Sequence, residues 1–578
     1  MNKMAVAVAV LAVGAGGYYF SQQSNTVASN PILDYVPADT LAFSGQLSPF
    51  PIKDYLYSIA GNAQGYSVEQ LNELSDFTEP HEKFFLSLYK QYLSLMTDPD
   101  TLVAHYGLPD EMQSYAYTLG ALPVMKLQLA DANAFWAELD RAEQESGLVH
   151  TTATIAGLEY RAYRVTGADS EETVDIIFAE DKGWLTVTLN TSLNQVELLE
   201  TALGAKKVVN PISATTILQD IAKQHDFTQD SISFVNHVEL IKGITTADGI
   251  TTADGNMLAK QITQLASLQN DNPFAELQSE QCKTELMAIA NNWPRTVMGF
   301  NAYSISRQES TFDARVVIES KNAVILDALT KMRGFIPDFG ADAANHILSV
   351  GLGMDVAQLA PSLNAVWKDL TTPTFKCQAL AESQYAMAEF NPAMIGMMTG
   401  MANGVKGVNF TVMDYQLKDE NGSPAFEKLD ALVSLSAENP AMLIDMVKPF
   451  YPPLAQINLA VDGDAVDVTS LLMLPPEFGV QVNMAIKGQH LVLYTGDNAQ
   501  ALADKMTKQA LDANGLVNLT ADYEKMFTPL VTMIEQSGEQ VPEELSMMKD
   551  YNMRIQMTVD INSQGIEIGS KMSSKAPK

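Results

Sequence analysis

Two cysteines in 578 residues are too few for a disulfide scaffold, and Cys282 and Cys377 do not form the CxxC pair of a redox or thiolate metal site. Basic residues are scarce as well. Against 69 Asp and Glu stand 36 Lys and Arg, a formal net charge of −33. Phosphate backbones repel such a chain and no basic stripe interrupts the acidity, so nucleic acid is not an expected partner. The sequence holds no GxSxG elbow, no HExxH and no Walker loop. Its seven histidines, at 81, 105, 150, 225, 237, 346 and 490, include no pair at helical ligand spacing. No catalytic residue, metal site or cofactor can therefore be nominated, and an envelope hydrolase is the weakest of the functional readings. Long apolar runs are missing too, except for one at the start.

That run lies in MNKMAVAVAVLAVGAGGYYF (1–20), where Lys3 precedes an uncharged stretch from Met4 to Phe20. At 1.5 Å per residue it reaches roughly 25 Å as a helix, the lower edge of a membrane span. Tyr18 and Tyr19 sit where an interfacial aromatic belt would fall. Small residues near Val13 and Ala15 also fit a cleaved secretory signal. Residues 1–22 are read as signal anchor or signal peptide and 23–36 as linker. The bulk then faces the periplasm, tethered to the inner membrane as a single-pass protein, or free in the periplasm if the signal is cleaved. In that compartment Cys282 and Cys377 are expected to pair, closing a loop of 95 residues that the chain-entropy account values at about 4–5 kcal/mol.

What the body of the chain contains is a long-period repeat. KLQLADANAFWAELDRAEQ (from 126) and ALVSLSAENPAMLIDMVKP (from 431) both read as strand, then amphipathic helix, then a hairpin at glycine. Asn133 aligns with Asn439, Gly157 with Gly463 and Gly45 with Gly351, each pair 306 positions apart. Gly183 aligns with Gly488 and Gln195 with Gln500 at 305. Farther on the offset falls to 285 for SISFVNHVEL (231–240) and to 255 for the closing hairpins that start at Met298 and Met553. The expected fold is α+β: two tandem divergent copies, 37–335 and 336–578, of an antiparallel sheet with helices behind the membrane segment.

Four local features call for a reading. NPAMIGMMTGMANGVKG (391–407) puts Met394, Met397, Met398 and Met401 on one helical face and Gly396, Gly400 and Gly404 on another. A core helix packed through glycine, an apolar groove for a hydrophobic ligand or partner helix, and a thioether Cu(I) site compete for it. The twin hexad ITTADGITTADG (244–255) reads as a lengthened surface loop, too short for a solenoid. VDGDAVD (461–467) reads as a D-G hairpin turn, since EF-hand spacing is missing. In EKFFLSLYKQYLSLM (82–96), Phe85, Leu88, Tyr89, Tyr92 and Leu95 mark a helix whose stripe is expected in the core.

With NPILDYVPADTLAF (30–43), whose Pro37–Thr40 precede a strand, and with YTLGALPVMKLQL and CKTELMAIANNWPR, the chain resembles exported Gram-negative proteins of unknown function. The resemblance implies an envelope location and no established activity, and it transfers no functional residue. The expected function is a non-enzymatic binding or scaffold protein of the envelope, its partners the inner membrane and either another envelope protein or a hydrophobic ligand. A lipid carrier is the alternative, and it would need a continuous apolar cavity of several hundred Å³.

Overall fold

A computed structural model describes residues 30–60, 77–166, 173–191, 196–247, 256–269, 272–342, 344–389, 392–420, 423–473, 479–542, 545 and 552–576. The apolar segment Met4–Phe20 lies outside these residues. Among them are nineteen strands, paired antiparallel, and sixteen α-helices. The chain divides into two compact units, residues 1–316 with 575–578, and residues 317–574.

Unit 1 runs β1 (Ala42–Gln46), α1 (Ile52–Ile59), α2 (Pro80–Leu95), α3 (Pro99–His105), β2 (Ser114–Leu119), β3 (Leu122–Gln128), α4 (Ala132–Ser146), β4 (Thr151–Ile155), β5 (Leu158–Arg164), β6 (Val174–Asp181), β7 (Trp184–Thr191) and α5 (Val196–Leu203). It continues α6 (Ile217–His225), β8 (Ser231–Asn236), α7 (His237–Thr245), α8 (Met257–Gln269), α9 (Glu280–Asn292), β9 (Arg295–Ile305) and β10 (Glu309–Glu319). Across the sheet the order is β4-β5-β6-β7-β3-β2-β1-β8-β9-β10. In SYAYTL of β2, every second residue is buried, the period-two signature of a strand with one face on a core. Asp131 caps α4 by accepting from Asn133 N at 2.9 Å, and Gly147 ends it in the left-handed region at φ 77°.

Asn439 likewise caps its own helix. Two sequence readings change here. On α2 Phe85 and Leu88 pack against the core as expected, but the buried positions are Phe84, Ser87 and Leu93, and Tyr92 is exposed. The stripe extends to Phe84 and Ser87 because Phe84 stacks on Tyr163 at 4.7 Å and the Ser87 hydroxyl donates to Glu145. The twin hexad begins inside α7 and not in a loop. Thr245 and Thr246 are buried, and their hydroxyls donate to the carbonyls of Ile241 and Lys242, four residues back. Residues 248–255, the rest of the hexads, lie outside the described residues.

Unit 2 runs α10 (Ala323–Met332), β11 (Leu348–Gly353), α11 (Val356–Thr371), α12 (Gln378–Ala388), α13 (Ala393–Thr399), β12 (Val405–Glu420), β13 (Ser423–Ala437), α14 (Pro440–Val447) and β14 (Val466–Asp467). Then follow β15 (Asn483–Lys487), β16 (His490–Thr495), α15 (Asp497–Met506), β17 (Val517–Asp522), α16 (Tyr523–Ser537), β18 (Met553–Asn562) and β19 (Gly565–Lys575). Its order is β14-β15-β16-β13-β12-β11-β17-β18-β19. Read beside β5-β6-β7-β3-β2-β1-β8-β9-β10, this order has the same sequence of connections strand for strand. The last residue of β8, Asn236, caps α7, and the last residue of β17, Asp522, caps α16. VDGDAVD is a turn, with Asp462 at φ 56°, but not a hairpin. Its flanks, Val461 and β14, both pair with β15 instead of with each other. Cys282 and Cys377 form the one disulfide, and both are buried.

A backbone strap explains the packing of unit 2. Residues 334–341 lie flat on the sheet: Phe335 N donates to Lys406 O at 2.8 Å, and Ile336 exchanges two hydrogen bonds with the Asn514 amide. The Asn518 amide and the Thr520 hydroxyl donate to Gly340 O. Polypeptide can approach this closely only over side chains that are absent or polar. A Cβ on Gly407 would stand 2.0 Å from Phe335 O, and one on Gly334 2.0 Å from Lys406 O. Beside the strap, under α15, the same face is apolar, with Leu432, Val492, Tyr494, Leu502 and Met506 around Phe335. Gly407→Ala is expected to destabilise unit 2 by about 3 kcal/mol, because backbone must move to admit the methyl group. Urea unfolding checks this, and a loss below about 0.5 kcal/mol, an ordinary surface value, would refute the strap's close seating.

Candidate apolar binding face

Polar side chains beneath the strap leave the apolar ones on the opposite face of the unit 2 sheet. The register lines them up across strands. One row runs Leu493, Val433, Phe410, Val350, Leu519, Met557 over β16-β13-β12-β11-β17-β18. The next, two residues along, runs Leu491, Leu435, Val408, Leu352, Val517, Val559. Directly opposed residues in such rows stand about 5 Å apart, so each row is a continuous apolar strip.

Burial along these rows is inverted. Ser349, Asn409, Thr411 and Ser434 are 0 % exposed, whereas Val350 is 41 %, Leu352 44 %, Val408 42 %, Phe410 39 %, Val433 38 % and Met557 42 % exposed. Of the buried four, three satisfy one another, while the Ser434 hydroxyl finds no partner among the described residues. Asn409 donates to the Ser349 hydroxyl at 3.2 Å, the Ser349 and Thr411 hydroxyls bond at 2.8 Å, and Thr411 donates to Asn409 Oδ1. The ends of the rows are covered. Leu435 packs with Val356, Leu443 and Met446, while Leu491 and Leu493 pack with Ile457, Val468 and Val482. What stays open is the middle of the sheet. Of the 24 large hydrophobic side chains exposed among the described residues, 17 belong to unit 2.

Charge touches this face at a strand end, next to Val408. Lys406 Nζ lies 2.9 Å from Asp355 Oδ2 and 2.9 Å from Glu438 Oε1. Burial opposes its charge, but the bonds to Glu438 and Asp355 outweigh that and hold the ammonium above the ordinary lysine range.

The methionine segment is only partly placed. α13 packs on α11, and a Cβ on Gly396 would lie 3.3 Å from Ala360 Cβ, the close helix approach expected of a small residue there. Met394 is 63 % exposed and so is not core. The side chains of Met397, Met398 and Met401 lie outside the described ones. The apolar surface found is also an open sheet face, where a closed cavity was expected of a carrier.

Unit 1 holds the densest polar cluster, on α4. The fully buried Glu138 carboxylate accepts from His105 Nε2 at 2.8 Å and from Arg141 Nε at 2.7 Å. Glu143 takes the Tyr163 hydroxyl at 2.6 Å and lies 2.5 Å from His150 Nδ1. These groups bond one another and tie α4 to α3 and β5, an arrangement that anchors the helix. Among the described residues no group of three or more His, Cys, Asp or Glu could hold a metal.

No family model, curated protein or solved structure matches this chain.

Sequence pattern missed the face because alternation gives two faces without saying which is inside. One signal was available. Gly351 and Gly407 share their face with Ser349, Asn409 and Thr411, the composition of a floor on which backbone rests. The two faces should respond oppositely to substitution. Val408→Thr is expected to cost under 1 kcal/mol, and Thr411→Val about 1–3 kcal/mol, because it strips partners from Asn409 and Ser349. Urea midpoints rank the two variants, and the reverse order would place the core on the wrong side.

Proposed function

We propose that this chain is a non-enzymatic binding protein of the cell envelope whose unit 2 presents its apolar sheet face to a hydrophobic ligand. The observation behind the reading is the inverted burial of the sheet. Apolar surface left in water forgoes about 25 cal/mol per Å², and a contiguous apolar patch on a folded monomer marks an interaction site. The tandem-copy reading belongs to the proposal, supported by the matching strand order of the two units and by the equivalent caps Asn236 and Asp522. In this reading one ancestral module was doubled, and one copy took on the binding face.

Location is part of the same proposal: a tether at Met4–Phe20 and a bulk beyond the inner membrane, as the resemblance to exported Gram-negative proteins implies. Among the described residues no helix is long and apolar enough to cross a membrane. The acidity of the chain keeps such a body soluble beside its ligand.

An apolar fluorescent probe, N-phenyl-1-naphthylamine, tests the surface directly. The wild-type chain should bind it, and Phe410→Asp should weaken binding at least tenfold while leaving the thermal midpoint nearly unchanged, since Phe410 is already part exposed. Undiminished probe binding by a folded Phe410→Asp protein would refute the proposal.

A further inference from the structure

We infer that the occupant of the unit 2 face is one long hydrocarbon chain of a lipid with a neutral or cationic headgroup. The inference rests on the binding role proposed above and narrows it to a ligand class.

Area decides against a protein. The six central side chains, each about two-fifths exposed, offer on the order of 400 Å², within the range of a large patch on a monomer. A stable protein interface takes about 800 Å² from each partner, twice what the floor supplies. A hydrocarbon chain needs less. At about 0.8 kcal/mol and 25 cal/mol/Å² each methylene accounts for roughly 32 Å², so the floor matches a chain of about a dozen methylenes. A second copy of this chain would also bring its own −33 charge against the first.

Chemistry and length agree with area. The two central rows carry Val, Leu, Phe and Met alone, with no side-chain donor or acceptor. Protein interfaces carry about ten hydrogen bonds to fix their register, whereas a methylene chain requires none. The five strands from β13 to β18, at about 4.8 Å spacing, make an open floor about 19 Å long, longer than the roughly 15 Å that one leaflet of a bilayer core allots to a chain. Headgroup sign follows from the border. Beside Val408 the single ammonium of Lys406 is already matched by the two carboxylates of Asp355 and Glu438, so an anionic headgroup meets an excess of like charge and a neutral or cationic one does not.

Competition against the bound naphthylamine probe, using the full chain at neutral pH, tests the assignment. Dodecylamine and dodecanol are expected to displace the probe, with dodecanoate at least tenfold weaker. Shorter amines should lose about two- to fourfold per methylene removed, and hexylamine, with the same charge and little chain, should leave the probe in place. Equal or tighter binding of dodecanoate, or no dependence on chain length, overturns the inference. If Phe410→Asp abolishes probe binding yet no amphiphile competes, the hydrocarbon assignment fails and the binding face stands. If probe binding ignores Phe410→Asp, the face itself is refuted. A dimer seen by sedimentation and dissolved by Phe410→Asp would make a second copy the occupant and also overturn the inference.

Discussion

The segment 334–341 rests on the sheet of unit 2 with its backbone, and the backbone groups it brings there must find partners. Those partners are Asn514, Asn518, Thr520 and the carbonyl of Lys406, set among glycines that leave room for a main chain. Once amides and hydroxyls line this face, the period of two along each strand sends Val350, Leu352, Val408 and Phe410 to the other. The exposed apolar face is thus a geometric consequence of the strap. Removing the strap's close seating would remove the reason for the inversion.

Unit 1 shows the same strand order without that constraint. Gly45 has Tyr115 and Ile232 as its cross-strand neighbours, where Gly351 has Asn409 and Asn518. The inner face of unit 1 therefore fills with Phe43, Tyr115, Tyr117 and Phe234 in the ordinary way. Its polar exceptions are Thr186, Thr188 and Lys126, the last buried with no adjacent counter-ion among the described residues, so that burial pushes it down to about 8 against the pull of Asp181. Its ammonium is held by Thr186 Oγ1 at 2.8 Å and Ala202 O at 3.2 Å, enough to satisfy it in place. The two sheets share connections but differ in which face is dry, and that difference is where function is proposed to reside.

Much of this was readable from residues alone. Alternating strands, Gly-centred turns and the long-period pattern led to antiparallel α+β architecture, and the two cysteines do pair. The binding face was not readable. Leu348, Val350 and Leu352 look like any core strand, and only contact with a segment ten residues upstream decides their side. The methionine ladder drew attention by composition, yet Met394 is exposed on a helix that packs on α11 and supplies none of the rows of the apolar face. The α2 stripe was read too narrowly for a similar reason: a long-range partner, Tyr163, buries Phe84 beside Phe85 and Leu88. Local periodicity finds elements, while nonlocal contacts choose the face.

Native mass spectrometry of the full chain, extracted gently from envelopes, tests the central claim most directly. A hydrocarbon ligand on the unit 2 face predicts a population carrying a lipid-sized adduct of a few hundred daltons, absent from the Phe410→Asp protein prepared in parallel. Wild type and variant each appearing only at its own bare mass, or both carrying the same adduct at the same occupancy, would contradict it.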